Sequence, residues 1–217
     1  MFESELLHNI SIWALPVLLA ITLHEVAHGW VADRLGDSTA RMLGRLTLNP
    51  VAHIDPVGTI VVPLGLVIMG SPFLFGWAKP VPVIFRNLNH PKRDMVWVAA
   101  AGPISNLLQA MLWVVVLKIA AGLDSDWLAQ PLYEMAQAGL LINAILMVFN
   151  LIPIPPLDGG RVAVGLLPRG ASYQLSRIGP FGFLILLALL MTGMLGAVIG
   201  PVIRSVILTL LSLAGIQ

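Results

Sequence analysis

His24-Glu25-Val26-Ala27-His28 holds the densest chemistry in this sequence. Residues four apart share one face of a helix, so the two imidazoles converge on a point. Zinc accepts imidazole nitrogen at about 2.0–2.1 Å. In H-E-x-x-H the glutamate is placed to take a proton from water at the metal. The pattern therefore predicts His24 and His28 as ligands of one Zn2+ and Glu25 as catalytic base. A catalytic zinc usually has three protein ligands and an open position for water. The third must come from elsewhere, and the candidate is Asp158, eight residues after Asn150 in N-L-I-P-I-P-P-L-D-G-G. Three prolines should end the preceding helix near Ile152. Two glycines after Asp158 would let backbones approach closely. The alternative role for Asp158 is to cap a helix that starts near Arg161.

These polar residues sit in an apolar chain. Of 217 residues, 58% are hydrophobic and only 11% are charged, against about 25% charged in soluble domains. Five stretches lack Asp, Glu, Lys and Arg: Leu6–Leu23, Pro56–Ala78, Met95–Leu117, Met135–Leu157 and Ile178–Ile203. About 20 such residues cross a bilayer. The fold expected is an α-helical, polytopic membrane protein with five to six membrane segments. It forms one membrane-embedded metalloprotease domain over residues 1–217, with a catalytic core at about 10–165 and C-terminal segments at about 178–217. The net charge of +1 gives no sign of nucleic-acid binding, and the absence of cysteine removes disulfides and thiolate sites. Glu3 and Glu5 stand where a signal peptide would be positive, so the first apolar segment is expected to remain.

Basic residues cluster at Arg34–Arg45, Lys79–Arg93 and Arg161–Arg177, while the loop around Asp124 has none. The positive-inside rule puts those clusters in the cytosol and the N-terminus outside. His24 lies ten residues before Arg34, about 15 Å along a helix. The site is thus expected within the membrane, toward its cytosolic side. Ionisable groups there are expensive and default to function.

The second apolar stretch is interrupted by Gly58, Pro63, Gly65, Gly70 and Pro72 and has basic residues on both flanks. A short re-entrant or β-hairpin region between the first and third helices is expected, packed beside a polar site. Lys79-Pro-Val-Pro-Val-Ile-Phe85 reads as extended, with Pro80 and Pro82 blunting one edge. The amides of Val81 and Val83 would remain free to pair. Gly200-Pro201 is expected to turn the chain after the last crossing.

H-E-x-x-H in an early membrane helix, together with N-x-x-P-x-P-x-L-D-G in a later one, resembles the site-2 protease family. Asn49-Pro-Val-Ala-His-Ile-Asp-Pro56 and Gly102-Pro-Ile-Ser-Asn106 add support. The resemblance covers roughly His24 to Arg161 and implies an intramembrane zinc metalloprotease with His24, His28 and Asp158 as ligands and Glu25 as base. It also implies Asn150 near the site, contacting substrate backbone. The chain looks like a compact member without a PDZ domain.

The expected partners are transmembrane protein substrates and the lipid bilayer. A substrate helix must unwind to expose a carbonyl, and strand addition at Val81 and Val83 could hold it. His53 is a candidate for substrate contact, against a structural role in its loop; four zinc ligands would close the water position. Asn106 and Asn143 read as interhelical hydrogen-bonding groups. The rival functions are a membrane metal transporter or sensor, and a membrane-protein binder that does not cleave.

Overall fold

The computed structural model describes residues 2–69 and 76–216. Its order is α1 (Phe2–Arg34), α2 (Thr39–Met42), α3 (Val62–Ile68), α4 (Pro91–Ala121), α5 (Asp126–Asn150), α6 (Asp158–Leu166), α7 (Arg169–Ser176), α8 (Gly179–Met191) and α9 (Met194–Leu213). Among the described residues there is no strand.

Among the described residues, four helical stretches are long and apolar enough to cross a membrane: Leu7–Arg34, Pro91–Ala121, Trp127–Asn150 and Met194–Leu213. A fifth is reached if α7 and α8, bent by 63° at their junction, count as one span. Against the five to six segments expected, the described helices supply four or five by length and composition. The chain is a multi-pass integral membrane protein. Prolines 16, 103, 131 and 201 all lie inside helices, as membrane helices tolerate when neighbours re-satisfy the backbone.

α4 is the hub and packs against α1, α5 and α6; α5 also packs against α1 and α9. Polar ties register these helices at their ends. His8 Nε2 meets Glu134 Oε2 at 2.8 Å, aligning the starts of α1 and α5. Lys118 donates to the carbonyl of Ala214 at 2.9 Å, joining the C-terminal ends of α4 and α9.

The segment between α2 and α3 is shaped by two caps. Asn49 accepts from the Val51 amide and precedes Pro50, opening a 3-10 turn over Pro50–His53. Asp55 accepts from the amides of Val57 and Gly58 and precedes Pro56, opening a π turn over Pro56–Val61. Each pairs a capping side chain with a proline whose missing N–H costs nothing at that position. α3 follows and is too short to span. The far part of the expected re-entrant region, including Gly70 and Pro72, lies outside the described residues.

Two expectations fail on local chemistry. Residues 79–84 form no strand or hairpin, and side chains of other elements bond the Val81 and Ile84 amides and the Lys79 carbonyl. The turn after α8 falls at Gly193, with φ +73, and not at Gly200-Pro201. Positive φ is open to glycine at little cost, whereas Pro201 is absorbed inside α9.

Candidate metal centre

α1 carries His24, Glu25 and His28. The four-residue spacing brings the two imidazoles together, with Nε2 atoms 3.1 Å apart and rings nearly perpendicular at 84°. Asp158 is the first residue of α6, whose N-cap is Leu157 without a side-chain bond. Asp158 is therefore not the cap. Its Oδ2 lies 3.3 Å from His24 Nε2 and 3.2 Å from His28 Nε2. His24, His28 and Asp158 are 8%, 8% and 6% exposed. Among the described residues they form the one group of this kind able to hold a metal ion.

These distances fit zinc. Ligands about 2.0 Å from a tetrahedral ion stand about 3.3 Å from one another. The protons fit as well. His24 Nδ1 bonds Asn106 Oδ1 at 2.6 Å. Asn106 Nδ2 donates to Ala20 O at 3.2 Å and Asn143 Oδ1 at 2.9 Å. Asn143 Nδ2 in turn donates to Gly139 O at 2.9 Å. That ladder from α5 through α4 orients both amides and assigns the His24 proton to Nδ1. His28 Nδ1 donates to Val98 O at 2.7 Å. Both Nε2 atoms then turn lone pairs inward, toward a buried Asp158 Oδ2 that has no donor of its own. Three acceptors meet with no proton between them, which is the environment of a cation. Outer partners of this kind fix ring orientation and tautomer in metal sites.

α4 also supplies a residue that sequence reasoning missed as part of the site. A Cβ at Gly102 would press against His28 Nε2 and the His24 ring. The available signal was spacing: Gly102 and Asn106 are four apart, as His24 and His28 are, so both lie on the α4 face toward α1. Gly159 and Gly160 do what the sequence predicts for them. A Cβ at either would strike the backbone of residues 151–155, so the chain after α5 can fold back and present Asp158.

The sequence model described as Peptidase family M50 matches residues 12–193. The chain belongs to peptidase family M50. It is 36% identical over 194 residues to "Putative zinc metalloprotease YwhC" of Bacillus subtilis, covering 88% of this chain and 85% of that protein. It is 30% identical over 180 residues to "Putative zinc metalloprotease Rip2" of Mycolicibacterium smegmatis, covering 81% and 64%. It is 25% identical over 172 residues to "Zinc metalloprotease MJ0392" of Methanocaldococcus jannaschii, covering 77% and 39%. No solved structure matches the chain significantly. This M50 peptidase is a zinc metalloprotease.

Around the metal group of this peptidase, residues 77–84 form a strap. Val81 is buried, and its amide donates to Glu25 Oε2 at 2.7 Å. The Val81 amide is thus occupied, which corrects the free edge expected there; the Val83 amide has no hydrogen bond among the described residues. Further hydrogen bonds hold the strap, among them these. Lys79 N donates to His53 O at 2.9 Å. Arg45 donates to Lys79 O at 3.0 Å. Ile84 N donates to Asp37 Oδ2 at 2.6 Å. Burial pushes the Asp37 carboxyl up, but bonds from the Thr39 hydroxyl, the Ile84 amide, the Asn87 side chain and the Thr39 amide outweigh it and hold its pKa below the ordinary value.

His53 is outside the metal group. Its Nε2 donates to Thr47 O at 2.9 Å, and its Nδ1 is buried without a partner. Asn150 Nδ2 donates within α5, to Leu146 O at 3.0 Å.

Proposed function

We propose that this zinc metalloprotease is an intramembrane endopeptidase that hydrolyses peptide bonds in or near transmembrane segments of other membrane proteins. The observation that carries the reading is the burial of the metal group inside the helical bundle. His24 lies about 15 Å of helical rise from Arg34, and α1 is long and apolar enough to span.

His24, His28 and Asp158 would hold the zinc. When bound, the ion supplies Lewis acidity, which acidifies water and polarises a peptide carbonyl. Glu25 accepts the proton of the attacking water and delivers it to the leaving amine. The Val81 amide orients the Glu25 carboxylate through one oxygen and leaves the other for that proton. The Asn143–Asn106 ladder keeps the His24 proton on Nδ1, away from the reacting atoms. Asn150 and Val83 contact the unwound substrate backbone. Val81 serves the site through Glu25, and His53 anchors the strap while its Nδ1 can take a donor.

Orientation follows from charge placement and span number. Four spans, α1, α4, α5 and α9, alternate in direction. With the basic clusters in the cytosol, both termini lie outside and the site opens toward the cytosolic side.

The test is cleavage of a single-pass substrate by the purified protein in bilayers. Metal-dependent cleavage is expected, abolished by a chelator and by Glu25→Gln while zinc content stays normal. Full activity in Glu25→Gln would refute the role of the base. Cleavage confined to soluble peptides would refute the intramembrane reading.

A further inference from the structure

α9 carries an arginine at its midpoint. Met194 and Arg204 are ten residues apart in a helix that ends at Leu213. Arg204 therefore lies about 15 Å from either end, farther than its own side chain can reach toward the interface. It is exposed, and among the described residues it has no hydrogen bond or ion pair. Among the described residues no carboxylate pairs with it, and the acidic groups within the helical spans are engaged elsewhere. Glu25 faces Val81, Asp158 faces the histidines and Glu134 faces His8.

Two faces of α9 differ sharply. Ile207, Leu210, Leu211 and Ala214 pack on Ala110, Val114 and Leu140. Arg204, Ser205, Leu208, Thr209 and Ser212 form an open face of α9, to which no other element contributes among the described residues. Charged groups within membranes face a protein interior or a cavity and pair with other groups, so this face is built to be covered.

Depth points the same way. The Lys118–Ala214 bond aligns the ends of α4 and α9. Counted from that end, Arg204 lies about 15 Å down and Asn106 about 18 Å. The guanidinium is thus within a helical turn of the level of the metal ligands. A second copy does not fit. Two copies in one membrane keep the same orientation, so a two-fold contact on this face would oppose two Arg204 side chains.

We propose that the open face of α9 docks a transmembrane helix of another membrane protein that carries a carboxylate near the middle of its span. Arg204 pairs with the carboxylate, and Ser205 and Ser212, seven residues apart on one face, let the helices approach closely. Docking and cleavage are separable, so the proposal stands whether or not the helix is then cut.

The absence of cysteine makes the test direct. Ser205→Cys is introduced into the full chain with Glu25→Gln, in phosphatidylcholine vesicles. The probes are synthetic Leu/Ala helices of about 22 residues, each with one cysteine and with Glu, Gln or Leu at mid-span. With copper phenanthroline as oxidant, the Glu helix should form disulfide about five-fold or more over the Leu helix, with Gln between them. Arg204→Leu should bring Glu down to the Leu level, and Arg204→Glu should transfer the preference to a Lys-bearing helix. Equal yields from Glu and Leu helices, or a Glu preference that survives Arg204→Leu, would overturn the proposal. Loss of the preference on adding anionic phosphatidylglycerol would also overturn it, by giving Arg204 to lipid phosphate. Zinc content reports whether each variant is folded.

Discussion

The metal group and the open face of α9 are both polar sites in apolar helices, but they are finished differently. At the metal group every imidazole proton has a named acceptor, and a second row of amides fixes the first. On α9 the Arg204 charge has none among the described residues. A bare charge at a helix centre costs about 2.5–3.5 kcal/mol even on insertion scales. The difference teaches how to read intramembrane polarity. Groups satisfied within the chain, apart from one cation-sized gap, make a resident-ion site. Groups left open make a site for a visitor.

The contrast breaks hardest at Asp158. Asp158→Ala should lower zinc affinity by more than the roughly 10–100-fold that loss of an outer partner costs; metal analysis at controlled free zinc checks it, and unchanged occupancy would mean a different third ligand. Gly102→Ala should come next, because its methyl would press on both imidazoles. Low zinc content with the helical circular dichroism retained is expected. Asn143→Leu should weaken zinc about 10–100-fold although Asn143 touches neither ion nor ligand; an effect below two-fold would remove the ladder from the account.

A smaller effect is expected at the strap. The Asp37 carboxyl is held below its ordinary pKa, so its contribution is full above about pH 4. It is lost as pH falls through the lower folded value. Asp37→Asn should cost about 1–3 kcal/mol at neutral pH, and the gap in thermal midpoint from wild type should close below pH 4. Arg204→Leu should leave zinc content unchanged; a loss of metal would show that the two regions are not separable.

Much of the centre was legible because its parts are local. H-E-x-x-H is a contact across one helical turn, and the prolines and glycines around Asp158 declare a chain reversal. Gly102 was not legible as a site residue, since its role depends on how α4 is rotated against α1. The Val81 bond to Glu25 escaped for a similar reason. An extended segment with alternating prolines reads as an edge, and nothing local says that a distant carboxylate takes its amide. The C-terminal helices were misread at Pro201 because a membrane helix absorbs a proline that would end a helix in water.

The three residues proposed to hold the zinc are made at different times in synthesis. His24 and His28 enter the membrane early, while Asp158 is made only after α4 and α5. Until then the histidine pair is a two-point site with weak hold on any ion. Gly102 and Asn106 arrive in between, so the pocket is shaped before its last ligand exists. On the proposed ligand set, a chain stalled before α6 would carry the whole H-E-x-x-H motif but lack the third ligand, so zinc capture would come late in biogenesis.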